Sequence, residues 1–108
     1  MNSFANNRRI NQYVTNDVLN ASPEQLIMKV YDFAIINCKK HNMVKTNEAL
    51  QVLINALNFD KPEAKEIAVG LFRIYTYCQQ EMRKKNYEVV NRVLTELKES
   101  WESALSKR

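Results

Sequence analysis

A chain of 108 residues with a single glycine, Gly70, and only two prolines, Pro23 and Pro62, has few places to turn. β-Hairpins depend on residues that accept φ > 0 at their turns, so a many-stranded sheet does not suit this sequence. Long helices joined by few connections do. The length fits one domain, which at this size buries about two-thirds of the surface its unfolded chain exposes.

The apolar residues carry the helical period. Ser22-Pro23-Glu24-Gln25 reads as a helix start, with Ser22 as cap, Pro23 at the first helical position and Gln25 completing a capping box. The first helix then runs to about Lys40, and Leu26, Ile27, Val30, Tyr31, Ala34 and Cys38 form its inward stripe. A second helix begins near Thr46, with Leu50, Leu53, Ile54 and Leu57 inward. Asn58 to Pro62 breaks it, and Asp60 with Glu63 forms a box-like start for a third helix, which runs to about Lys85. Its inward residues are Ile67, Leu71, Ile74, Tyr75, Cys78 and Met82, and Asn86 is placed to take the left-handed cap. The fourth helix covers about Tyr87 to Leu105, with Val90, Val93, Leu94, Leu97, Trp101 and Ala104 inward. The predicted fold is all-α, an antiparallel up-down four-helix bundle over residues 21–106. Residues 1–20, polar and asparagine-rich, precede it as a flexible N-terminal arm with apolar anchors that include Ile10 and Tyr13.

A net charge of +4 raises the question of nucleic acid. The basic clusters Lys39-Lys40-His41, Arg83-Lys84-Lys85 and Lys107-Arg108 each fall where a helix closes. The acidic residues Glu24, Glu48, Glu63, Glu66 and Glu88 fall where one opens. The helix macrodipole favours that placement by itself, so the charge argues for solvated helix ends before it argues for DNA. No apolar run is long enough to span a bilayer, and Met1 to Arg9 lacks the apolar core of a signal peptide. Cys38 and Cys78 sit on inward stripes and read as buried reduced thiols of a cytosolic protein.

Catalytic equipment is not visible. One histidine, His41, has no partners at metal-ligand spacing. A phosphate-binding loop cannot be built on one glycine. Asp32 and Glu81 fall on exposed faces by periodicity, and neither cysteine has an activating base close by in sequence. The reading is a non-enzyme with no cofactor and no metal.

What remains is a surplus of apolar residues. Met28 and Ile35 lie away from the first helix's stripe; Ala49, Val52 and Ala56 form a second stripe on the next helix; Phe72 and Tyr77 edge the third. A bundle helix normally needs one apolar face, so Met28, Ile35, Val52, Phe72 and Tyr77 are candidate lining for a groove that takes an amphipathic partner helix. They can equally widen the core, lie under the arm, or pair two copies of the chain.

Specific residues also look familiar. Tyr13, Val18 and Ala21-Ser22-Pro23-Glu24-Gln25-Leu26, then Val30-Tyr31-Asp32, resemble the opening of the flagellar export chaperone family FliS. Glu66-Ile67-Ala68, Leu71 and Ile74-Tyr75-Thr76-Tyr77 resemble its third helix, and Val93-Leu94, Leu97-Lys98-Glu99 and Trp101 its last. The resemblance implies a cytosolic chaperone that binds the C-terminal helical segment of unassembled flagellin and prevents premature polymerisation. It also implies delivery to the flagellar export apparatus, with or without a co-chaperone, by a monomer or weak dimer. The N-terminal segment, with Ile10 and Tyr13, would then cover the groove until the client displaces it. The stretch between Tyr31 and Asp60 looks about a dozen residues shorter than is usual in that family, and that between Glu66 and Trp101 about half as much. At 1.5 Å of rise per residue, both would shorten the same end of the bundle by about 6–9 Å. The alternative is a helical adaptor that binds nucleic acid through Arg8-Arg9, Lys39-Lys40 and Arg83-Lys84-Lys85.

Overall fold

A computed structural model describes residues 23–107. Ser22, the N-terminal arm and Arg108 lie outside the described residues, and with them the capping role expected of Ser22. Four helices follow one another: α1 (Pro23–Lys39), α2 (Met43–Asn55), α3 (Pro62–Arg83) and α4 (Tyr87–Ser106). Each packs on its neighbour in the chain, and α4 closes back on α1. The diagonal pairs α1–α3 and α2–α4 stay more than 8 Å apart at every Cα, so the helices form a ring in chain order around one core. This is the expected up-down bundle.

The first and third helices end in the same way. His41 and Lys85 take left-handed backbone conformations, with φ of 58° and 65°. At the first turn the Asn42 N–H donates to the Asn37 carbonyl and the His41 N–H to that of Cys38; at the second, Asn86 donates to Glu81 and Lys85 to Met82, all at 2.9 Å. Both are Schellman closures, which satisfy carbonyls that a helix end would otherwise leave unpaired. The left-handed residue of the second turn is Lys85 and not Asn86, whose φ is −87°. The two turns meet at one end, where His41 stacks on Tyr87.

Early closure of the first turn moves the start of α2. Asn42, not a residue near Thr46, is its cap: the Asn42 side chain accepts a hydrogen bond from the Lys45 N–H at 3.0 Å. Thr46 is instead buried inside the helix, donating its hydroxyl to the Asn42 carbonyl at 2.8 Å. Glu48 consequently stands beyond the first turn, which carries no acidic residue. Glu24, Glu63 and Glu88 do open their helices as expected. The box-like start at Asp60 does not form. Lys61 precedes Pro62 in extended conformation and caps α3 without a side-chain bond, since the residue before proline avoids the helical region.

The core comprises Val30, Tyr31, Ala34 and Cys38 of α1, Ala49, Leu50 and Leu53 of α2, Tyr75, Cys78 and Met82 of α3, and Val90 and Leu94 of α4. Ala49 belongs here and not to a surface stripe, since it has no exposed surface. Ile67 and Ala104, expected inward, are exposed. Glu81, expected on an exposed face, is only 8% exposed. The second turn folds over it: the Asn86 amide donates to its carboxylate at 2.7 Å and Lys84 lies 3.5 Å away. Asp32 does reach solvent, where it pairs with Lys98 of α4. The two cysteines are buried free thiols. Lying on diagonal helices, they are too far apart for a disulfide without backbone movement.

Candidate binding cleft

The two ends of the ring differ. At the turn end the aromatic stack and two closed turns seal the core. At the opposite end α1 begins, α4 finishes and the connection from α2 to α3 edges the interior with Ala56, Leu57 and Asn58. There the structure holds a cleft of about 260 Å³. Ile27 and Met28 line it from α1, Leu53 and Leu57 from the end of α2, Ile67 and Leu71 from α3, and Trp101 and Leu105 from α4. Glu24 is the one charged side chain among the described lining residues. A concave apolar surface of this kind has ordinary binding-site character.

The cleft continues along one seam. Between α3 and α4 the contact is the sparsest in the ring, and a shallow groove runs there between Ile74 and Tyr77 on one side and Val93 and Leu97 on the other. Leu71 and Trp101 of the cleft lie one helical turn beyond Ile74 and Leu97, so seam and cleft form one largely apolar track, with Glu96 and Ser100 of α4 also along the seam. Ile67 is 63% exposed and Tyr77 45% exposed along it. That is unusual exposure for large apolar side chains grouped on one face.

Two of the lining side chains, Tyr75 and Trp101, share a hydrogen-bonded group with the fully buried Tyr31. Trp101 donates its indole N–H to the Tyr31 hydroxyl at 3.1 Å, and the Tyr31 and Tyr75 hydroxyls share a hydrogen bond at 2.6 Å. Their rings meet edge-on at 6.4 Å. Burial raises the pKa of both tyrosines above the ordinary value, so the network is neutral. Polar groups inside a core are tolerated when bonded in this way. Here they tie α1, α3 and α4 together beside the cleft.

The candidates named from sequence scatter over this architecture. Met28 lines the cleft and Tyr77 the seam that leads to it. Ile35 and Val52 are half-buried against the core. Phe72 is exposed beside the α2–α3 connection, edge-on to Phe59 with centroids 6.5 Å apart. Ile10 and Tyr13 lie outside the described residues. Sequence reasoning had no signal for Ile67, Trp101 and Leu105 as lining, because their accessibility depends on how far α3 and α4 diverge.

The cleft offers burial and a little hydrogen bonding. Among the described residues no group of His, Cys, Asp and Glu could hold a metal ion, and no helix is long and apolar enough to cross a membrane. A helical bundle with an open apolar track and reserved polar groups is equipped to hold another chain. Comparison with protein families identifies the setting: the model described as "Flagellar protein FliS" matches residues 5–108. The chain belongs to the FliS family. No curated protein and no solved structure matched in the parallel comparisons. FliS membership carries a flagellar export chaperone role. In this FliS chain Tyr31, Tyr75 and Trp101 are hydrogen-bonded to one another, and the last two line the cleft.

Proposed function

We propose that this FliS-family protein holds the C-terminal helical segment of unassembled flagellin in the cleft and along the α3–α4 seam. The observation that carries the reading is the apolar track itself, with Ile67, Met28 and Trp101 at the cleft end of the bundle and Tyr77 further along the seam. Flagellin segments that pair through apolar stripes would be covered there, before assembly and in the cytosol. The affinity would come from burial, about 25 cal/mol per Å² of apolar area before ordering costs. The ordering of a disordered client costs several kcal/mol, which keeps such a complex releasable at the export apparatus. No group transfer is involved.

The segment ahead of Pro23 is, in this reading, a cover that the client displaces, with Ile10 and Tyr13 as anchors. What supports it is that Glu24 and Ile27, within the first five residues of α1, line the cleft. Ile35, Val52 and Phe72 belong to the same client surface in the wider form of the proposal.

Co-purification with flagellin, and with flagellin lacking its C-terminal helix, tests this directly. Recovery of the first and loss of the second is the expected result. Equal recovery of both, or of neither, would overturn the proposal. Retention of nucleic acid that falls steeply with salt would favour the basic clusters at the turn end instead.

A further inference from the structure

The turn end of the bundle is also its basic end. Around the two closures, between Asn37 and Glu48 and between Gln79 and Val90, stand six cations: Lys39, Lys40, Lys45, Arg83, Lys84 and Lys85. Three carboxylates accompany them. Glu81 is buried and bonded to Asn86 and Lys84, Glu48 is partly covered, and Glu88 is exposed. In the rest of the described chain seven cations stand against eight carboxylates, so the excess positive charge lies at this end. The stack of His41 on Tyr87 holds both turns together there.

Helix physics explains part of this pattern, because cations at the ends of α1 and α3 suit the macrodipole. Lys45 does not fit that account. It stands in the first turn of α2, where the same field disfavours a cation and no acidic residue offsets it. Beside it Met43 and Val44 are 37% and 48% exposed, and neither belongs to the core. The segment from Lys39 to Lys45 thus sets two exposed apolar side chains between cations, with Arg83, Lys84 and Lys85 at the same end.

We propose that this end docks on the surface of an anionic lipid bilayer, its cations meeting headgroup phosphates while Met43 and Val44 enter the headgroup region. An anionic leaflet attracts clustered cations as a set, and apolar side chains among them add buried area. A nucleic acid would draw on the cations alone and would leave Met43 and Val44 without a role. The cleft lies at the opposite end of the bundle, so docking leaves it free.

Flotation of the full chain tests this, with vesicles of equal parts phosphatidylglycerol and phosphatidylcholine against phosphatidylcholine alone. Wild type should float with the mixed vesicles and not with the neutral ones. Lys40→Gln with Lys85→Gln should weaken that binding about 25-fold, or about fivefold per cation. Met43→Ser with Val44→Ser should weaken it about tenfold, with an unchanged circular dichroism spectrum because both side chains are exposed. Equal binding to the two kinds of vesicle, or to neither, would overturn the proposal. So would full vesicle binding by the serine pair, or duplex DNA bound more tightly than mixed vesicles at equal phosphate. Either result would assign the cations to a polyanion.

Discussion

The His41 imidazole lies flat on the Tyr87 ring, with centroids 4.1 Å apart and planes within 10°. It joins the turn after α1 to the start of α4, which the chain separates widely. The Cys38 thiol reinforces the joint by donating to the Tyr87 carbonyl at 3.3 Å. Removal of the ring by His41→Ala should lower stability by about 1 kcal/mol, the usual value of a well-placed aromatic pair. Urea denaturation measures this, and client affinity should stay unchanged because the stack is at the far end from the cleft. A variant as stable as wild type would show that the turns close without it.

Lys85 pays a conformational penalty at the other turn, since a side chain at positive φ crowds the following carbonyl. Lys85→Gly should therefore stabilise the protein by about 1 kcal/mol. A fall in the urea midpoint would mean that the lysine side chain contributes more at this turn than its backbone strain costs.

Gly70 stands inside α3, where a Cβ would meet nothing within 4 Å. No packing constraint in the structure explains a glycine there. Gly70→Ala should raise stability by about 1 kcal/mol through helix propensity. Thermal unfolding would show the rise, and a loss of stability would reveal a constraint that the structure does not contain.

Alkaline pH should unfold the protein through its core acids. Burial pushes the Cys78 thiol up to about 12 from an ordinary 9.0, helped by Cys38 and Glu81 nearby. Cys38 and Tyr31 shift the same way, again through burial first. The unfolded chain releases these protons at ordinary values while the folded state keeps them, so stability falls as pH rises. The contribution of Cys78 is complete below pH 9 and is lost progressively towards pH 12. Urea midpoints at pH 8 and pH 11 measure the loss. Cys78→Ala should start lower, from the small cavity it leaves, yet lose less over that interval.

Much of the fold could be read from spacing alone. Val30, Tyr31, Ala34 and Cys38, or Tyr75, Cys78 and Met82, recur at the helical period and reach the core as expected. Residues whose burial depends on something other than their own polarity were not readable. Thr46 is buried because Asn42 starts α2 early, and Glu81 because the second turn folds Asn86 onto it. The candidate site was harder still. A single helix's periodicity ranks Met28, Ile35, Val52, Phe72 and Tyr77 alike, yet one lines the cleft, one the seam, and Phe72 stands with Phe59. Their separation follows from unequal gaps between helices, which no one segment encodes.

The hydrogen-bonded group of Tyr31, Tyr75 and Trp101 sits where the open half of the bundle meets the sealed half. The Tyr31–Tyr75 bond crosses the α1–α3 diagonal, where the two backbones stay more than 8 Å apart. It is a cross-brace: the ring cannot shear at that level without breaking a buried hydrogen bond.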